Sequence, residues 1–216
     1  MIAFPAIATT AMPQLLSRFC RKHPGLYVSL NGVNSLHRMI EEIRDSNADF
    51  AIANVPTNAN GIACEHLAHY PAVCVVQRSH RFTSMVPVPL SEIAKEHYVS
   101  LGADDDSQLV ITRMFESLDL NLPLRAEVSL CASACAWVAS AGGCTLVDPF
   151  TAGEWDVQLA RLETEPVIRQ DLWLLRPAAH PITRLVSLFL EDFHRYLARV
   201  LPSEKSSAQP LMPIGR

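Results

Sequence analysis

The stretch from Ile2 to Ser35 constrains this chain more than any other. Ile2, Ala3 and Phe4 form a short apolar segment that runs into the small-residue turn Pro5-Ala6-Ile7-Ala8-Thr9-Thr10. A helical pattern follows at once, with Met12, Leu15, Leu16, Phe19 and Cys20 on one face and Gln14, Ser17, Arg18, Arg21 and Lys22 on the other. Pro13 sits where a first-turn proline is tolerated, and Thr9 and Thr10 where a capping hydroxyl belongs. A strand that ends at a helix N-terminus leaves backbone N–H groups pointing outward with partial positive charge, which suits a small anion such as a carboxylate. The arrangement then repeats: Tyr27 to Leu30 reads as a strand, Asn31-Gly32 as a turn, and Asn34-Ser35 as the cap of a helix with Leu36, Met39, Ile40 and Ile43 inward.

Further strands are predicted at Ala48 to Ala53, Ile62 to Leu67 and Ala72 to Val76. Short βαβ units in series imply a parallel sheet with right-handed crossovers. The pattern breaks at Gln77 to Pro89, where Pro87 and Pro89 suit a passage to a second lobe. A helix at Leu90 to Glu96 capped by Ser91, a strand at Tyr98 to Leu101, and a helix with Val110, Met114 and Leu118 inward follow. Next come a strand at Arg125 to Leu130, a small-residue helix at Cys131 to Ala141 stopped by Gly142-Gly143, and a strand at Cys144 to Val147 closed by Asp148-Pro149. A helix or turn near Thr151 to Asp156, a polar connection at Val157 to Val167 and a strand at Asp171 to Leu175 lead to the last helix, where Leu185, Phe189, Phe193, Tyr196, Leu197 and Val200 recur at helical spacing. The chain is α/β, with two βα lobes: residues 1–77 plus 163–200, and residues 78–162, with 201–216 expected to be a disordered tail. Two crossings between lobes make a hinge, and the cleft between them is a preferred small-molecule site.

A chain of 216 residues can support a real core in each lobe, and a net charge of −4 gives no electrostatic reason to bind nucleic acid. No apolar run reaches membrane-spanning length and no signal peptide pattern opens the chain, so a cytoplasmic setting is expected. The six cysteines show no C-x-x-C pair, and Cys131 and Cys135 are expected to share a helix face as small buried hydrophobes. His66-x2-His69 lies in strand or loop, where that spacing does not align two imidazoles, so no metal is expected there. Asp104-Asp105-Asp106 reads as a solvated loop favouring the next helix N-terminus, and His180-Pro181 as loop packing. Trp137, Trp155 and Trp173 are expected in the core. No G-x-S-x-G elbow, P-loop, G-x-G-x-x-G or H-E-x-x-H occurs, so nothing nominates an enzyme and no cofactor is called for.

The ordered motifs resemble a known family. The run "IAFPAIATTAMPQLLSRFCRKHPGLYVSLNGVNSLHRMIEEIRDSNADFAIANVP" (Ile2 to Pro56), then "AEVSLCASACAWVASAGGCTLVDP" (Ala126 to Pro149) and "DLWLLRPAAHPITRLVSLFLEDFHRYL" (Asp171 to Leu197), are similar to the effector-binding domain of LysR-type transcriptional regulators. Phe-Pro-Ala, Val-Ser-Leu and Val-Asp-Pro look most like the branch that senses opines and related amino-acid derivatives. The resemblance implies a two-lobed, periplasmic-binding-protein-like (type II) fold that holds a small carboxylate effector in the interlobe cleft. It places effector contacts at Pro5, Ala6, Thr9 and Thr10, at Asn34 and Ser35, at Gly102, Ala103 and Ser107, and at Leu130, Ala132 and Ser133. The other reading of these hydroxyls is that they only cap their helices, worth about 1 kcal/mol each. Asp148, at the cleft rim in the resembled fold, either meets an amine of the effector or hydrogen-bonds its own turn. Full-length family members carry an N-terminal helix-turn-helix. Here Met1 stands just before the first strand, so this chain is not expected to bind an operator by itself. The resemblance also implies a homodimer, with the Met12 to Lys22 helix as candidate edge unless its apolar face is wholly internal. The rival functions are a free-standing solute-binding protein, disfavoured by the absent signal peptide, and an enzyme of the same fold.

Overall fold

The computed structural model describes residues 1–103, 105–179 and 181–201. Residues 202–216 of the expected tail, Asp104 and His180 lie outside the described residues; Leu201 packs against the first core. In chain order the elements are β1 (Ile2–Ala3), α1 (Pro5–Thr9), α2 (Ala11–Lys22), β2 (Asn31–Gly32), α3 (Leu36–Arg44), β3 (Ala51–Ala53), β4 (Ile62–Pro71), β5 (Val73–Gln77), a 3-10 turn (Arg81–Ser84), β6 (Val88–Pro89) and α4 (Leu90–Ile93). There follow β7 (Tyr98–Ser100), α5 (Asp106–Ser117), β8 (Leu124–Glu127), α6 (Cys131–Ala141), β9 (Cys144–Val147), α7 (Pro149–Gly153), β10 (Leu159–Leu162), β11 (Thr164–Glu165), β12 (Arg169–Pro177) and α8 (Arg184–Val200).

Two five-stranded sheets result, in the orders β2-β1-β3-β12-β4 and β10-β5-β9-β7-β8, with β11 and β6 as a short parallel pair. Both sheets are mixed, not parallel throughout. β1, β2 and β3 run parallel, β12 is antiparallel to β3 and β4, and β5 is antiparallel to β9 and β10. The first core gathers Ile2, Ile7, Met12, Phe19, Met39, Ile52, Leu174, Phe189 and Phe193 between the first sheet and α1, α2, α3 and α8. The second sheet buries both faces. Phe82, Leu90, Ile93, Tyr98, Ile111 and Phe115 cover one, and Ala134, Cys135, Val138 and Ala152 cover the other. Phe150 of α7 reaches from the second sheet into the first core, edge-on to Tyr70 at 5.6 Å.

Several expectations change. The strand Val73–Gln77, expected on the near side of the first crossing, belongs to the second sheet. The chain changes sheets at Ala72, whose N–H donates to Ile168 O, just before the returning strand, at 2.8 Å. Tyr27 to Leu30 forms no strand, and Asn31-Gly32, expected as a turn, is one. Residues 31 and 32 pair with Ile2 and Ala3, whereas the region just before them packs Val28 and Leu30 on the first core and gives Ser29 O to the Met1 amine without forming a ladder. The face of α5 is rotated by one residue. Gln108, Ile111 and Phe115 are buried, Val110 and Met114 only partly so, and Leu118 is exposed. The cap of α4 is Pro89, not Ser91, because β6 runs straight into the helix. The connection at Val157 to Val167 contains β10 and β11, recruited by pairing with β5 and β6 despite its polar sequence. Leu185 and Val200 of α8 are exposed, while Phe189, Phe193 and Leu197 are buried. Trp137 is exposed as well. On the apolar face of α2, Met12, Leu15, Leu16 and Phe19 are buried in the chain's own core, and Cys20 is partly exposed. No helix among the described residues is long and apolar enough to cross a membrane.

Candidate functional site

The strands that cross between the sheets position the site. Tyr70 on β4 and Gln170 on β12 are register partners, and both are buried. Ser107, in the first turn of α5, faces them. Asn54, just beyond β3, donates through Nδ2 to Ser107 Oγ at 3.1 Å, and Gln170 Nε2 donates to Ser107 O at 3.2 Å. Two parts of the first sheet thus close directly on the second lobe at one residue. Asp105 caps α5, its Oδ1 accepting from Ser107 N at 2.9 Å and Gln108 N at 3.1 Å. The Asn34 side chain reaches across to the same carboxylate.

Asp148 caps α7 in the same way: Oδ1 accepts from Thr151 N at 2.7 Å. Its other oxygen, Oδ2, is buried without a hydrogen-bond partner among the described residues, as are Tyr70 OH and Gln170 Oε1. Thr151 Oγ1 and Trp173 Nε1 are unpartnered as well, and because buried polar atoms are normally satisfied, these five orphans demand a reason. Burial raises the Asp148 carboxyl above its ordinary value, with the Thr151 and Cys131 groups beside it partly opposing the shift. Burial likewise raises Asp105. It also pushes the Tyr70 phenol well up, and the charges of Asp148 and Asp105 add to that; the Ser107 hydroxyl lies beside Tyr70 without completing a bond to it. The Cys131 thiol is raised too, by burial first and by Asp148 second. Cys131 opens α6, whose N-cap Leu130 supplies no side-chain bond, so the first N–H groups of that helix lack a side-chain partner close to Asp148.

The predicted residues therefore divide. Asn34, Ser107 and Asp148 come together, and Leu130 with Ala132 and Ser133 forms the uncapped start of α6. Ser35 caps α3, accepting from Arg38 N at 3.3 Å. Thr9 and Thr10 do not cap α2: their hydroxyls turn back to Pro5 O at 2.8 Å and Ala6 O at 2.7 Å, because a separate short helix, α1, precedes it. Pro5 and Ala6 open α1, whose five residues are too few for a substantial end charge. Gly102 and Ala103 lie on the β8 side of α5. A Cβ at Gly102 would sit 3.3 Å from Glu127 Oε1, and Ala103 lines a hollow of about 300 Å³ with Gln108, Thr112 and Glu127. Sequence reasoning missed Asn54, Tyr70, Gln170, Asp105 and Cys131 as site residues. Asn54 carried a signal at the carboxyl end of a buried strand, and Asp105 carried one as an acid read as favouring the next helix N-terminus; Tyr70, Gln170 and Cys131 carried none. A separate apolar hollow of about 100 Å³ lies elsewhere, between Phe19, Tyr27, Phe50 and Phe189.

The LysR substrate binding domain family model matches residues 1–198. The chain belongs to this family. Its relatives include the transcriptional activator protein LysR of Escherichia coli strain K12, 24% identical over 201 residues that cover 92% of this chain and 64% of that protein. The chain thus spans less than two-thirds of that relative's length. Among solved structures, HinK, a LysR family transcriptional regulator from Pseudomonas aeruginosa, superposes with a TM-score of 0.80 at 17% identity, covering 91% of this chain and 69% of that one. The effector binding domain of QuiR in complex with shikimate superposes with a TM-score of 0.73 at 15% identity, covering 93% and 97%. The fold is accordingly the two-lobed type II periplasmic-binding-like fold of LysR effector-binding domains, which bind ligands and are not enzymes.

Proposed function

We propose that this LysR substrate-binding domain senses a small metabolite carrying both a carboxylate and an amine, an amino acid or an opine-like derivative, in the cleft between its sheets. The observation that carries the reading is the set of buried, unpartnered atoms Tyr70 OH and Gln170 Oε1, on paired residues of β4 and β12, and Asp148 Oδ2, at the end of β9 and near enough to act on the Tyr70 phenol. Two of these are acceptors, and the phenol can act as either donor or acceptor. With Asp105 and Asp148 both present, the local charge favours an ammonium, whose three donors would satisfy the orphans. The N–H groups at the start of α6, close to Asp148, would take the carboxylate of the same head group. Ser35 serves as a cap in this proposal, and Thr9 and Thr10 are removed from it by their backbone bonds. QuiR holds shikimate, an acid, in the same fold.

Closure through Asn54–Ser107 and Gln170–Ser107 supplies the switch, because an effector that fits the closed arrangement shifts the population toward it. A longer regulator, a homodimer and an operator read by another region are parts of the same proposal. The rival of a free-standing solute-binding protein gains no support from the relatives. A thermal-shift screen of amino acids, opines and aromatic acids tests the ligand class. A ligand at 100 times its Kd adds about 2.7 kcal/mol of apparent stability. Stabilisation by compounds bearing both groups, and not by acids without an amine, is the expected result. A hit list of amine-free acids alone would sink the proposed head group.

A further inference from the structure

The same two crossing strands carry a second cluster beside the cleft residues. In a regular strand, residues three apart point to opposite faces. In the β4–β12 pair, Asp171 lies opposite His69 and Leu172 opposite Ala68, but Trp173 lies opposite His66, so Leu67 is the extra residue of a β-bulge. The bulge overturns the expectation that His66-x2-His69 cannot align its rings. His66 Nε2 stands 3.1 Å from Asp171 Oδ1, and His69 Nδ1 meets the same oxygen. One ligand atom from each residue lies within 4.8 Å of the others. The rings are 4.2 Å apart, and His66 packs edge-on against Trp173 at 4.9 Å, which limits their rotation. Side-chain exposures of 33%, 31% and 23% for His66, His69 and Asp171 leave the cluster open to solvent.

We propose that His66, His69 and Asp171 bind a zinc-class divalent cation, with water completing the coordination. Two imidazole nitrogens and one carboxylate oxygen suit borderline ions such as Zn²⁺, Ni²⁺ or Co²⁺, whereas Mg²⁺ and Ca²⁺ take oxygen ligands. Ligand atoms around a tetrahedral zinc are about 3.3 Å apart, so the observed separations need only small side-chain rotations. The edge position of β4 leaves an approach from solvent. The ion would staple β4 to β12 at residues adjoining Tyr70 and Gln170.

Isothermal titration of the full chain, stripped with EDTA and then titrated with ZnCl2, NiCl2 or MgCl2, tests the site. The expected result is one Zn²⁺ per chain, weakened at least tenfold in His69→Ala and in Asp171→Asn, with no saturable Mg²⁺ binding. The wild-type melting temperature should rise by several degrees with zinc, and this rise should vanish in the variants. Circular dichroism establishes that each variant folds, and His66→Asn, at the most exposed ring, gives a further reading if one does not. Cys20 and Cys64 are partly exposed thiols that could themselves take up zinc, so a Cys20→Ser/Cys64→Ser chain is the control and should bind zinc as wild type does. Absence of saturable zinc and nickel binding in the wild type overturns the proposal. So does zinc binding that survives His66→Ala/His69→Ala, or that is lost in the cysteine variant.

Discussion

Replacing Asp148 by Asn separates the two roles that this carboxylate combines. Asn keeps an oxygen for Thr151 N, so the cap of α7 at 2.7 Å survives, while the unpartnered Oδ2 is replaced by an uncharged NH2 donor. Breaking a buried, hydrogen-bonded charge pair costs about 2–5 kcal/mol of binding. At 1.4 kcal/mol per decade, the Kd for an amine-bearing effector should weaken by about 30-fold to a few thousand-fold. The unliganded chain should respond in the opposite sense. Burial raises the carboxyl in the folded state, so its contribution to stability is fully present below the unfolded value, 3.8, and is lost as pH rises through the folded value. Asn has no proton to lose. Relative to wild type, its melting temperature should fall less as pH rises above 3.8, and at neutral pH it should be no lower. Asp105 is also raised, but it titrates in both proteins and cancels in the comparison. Asp148→Ala is the control: it loses the cap as well, about 1 kcal/mol. Titration calorimetry with the best ligand from the screen and with its N-acetyl derivative reads the binding arm. Unchanged affinity in Asp148→Asn, or equal affinity of wild type for the two compounds, would refute the assignment of Asp148 to an ammonium.

Gly143→Ala should lower stability by at least about 2 kcal/mol in urea denaturation, since its φ is +82° and an added Cβ would lie 2.5 Å from His97 O; an unchanged midpoint would mean the turn can yield. Burial pushes the Cys135 thiol up to about 12, so at pH 8 it should resist iodoacetamide until denaturant is added; peptide mapping that finds Cys135 itself rapidly labelled in the native chain, alongside the partly exposed Cys20, Cys64 and Cys131, would contradict its burial. Asn54→Ala removes a hydrogen bond between the lobes worth about 1 kcal/mol, so effector affinity should fall about three- to tenfold and the scattering radius should grow; no change in either would detach that contact from closure.

Much of the fold was legible because periodicity reports burial. The pattern of Phe189, Phe193 and Leu197 announces α8, and the apolar run around Ile52 announces a strand covered on both faces. Cys131–Ala141 and Cys144–Val147 came out with their bounds as read, because Gly142 and Gly143, both at positive φ, separate them sharply. Periodicity reports nothing about pairing partners. β10 and β11 are strands because β5 and β6 lie beside them, and β2 is a strand only where β1 runs alongside. The side to which β5 belongs is likewise set by its neighbours β9 and β10 and not by its own Val-Cys-Val-Val composition.

The candidate site was legible to the extent that its residues lie at or beside helix starts, although of Asn34, Ser107 and Asp148 only the last is itself a cap. At such places short polar residues stand out against apolar runs. Tyr70 and Gln170 gave no such signal: each is a single polar residue inside a strand, and its significance comes from being opposite the other. His66 and His69 show the same limit. Their spacing argues against a shared ligand until a β-bulge, visible only in the pairing with β12, adds the residue that turns both toward Asp171. Tyr70 and Gln170 of the candidate site and the His66–His69–Asp171 cluster thus share one pair of strands distant in sequence. Tyr70 and Gln170 leave orphaned atoms buried at the cleft, while the adjoining His69 and Asp171 stay partly open to solvent.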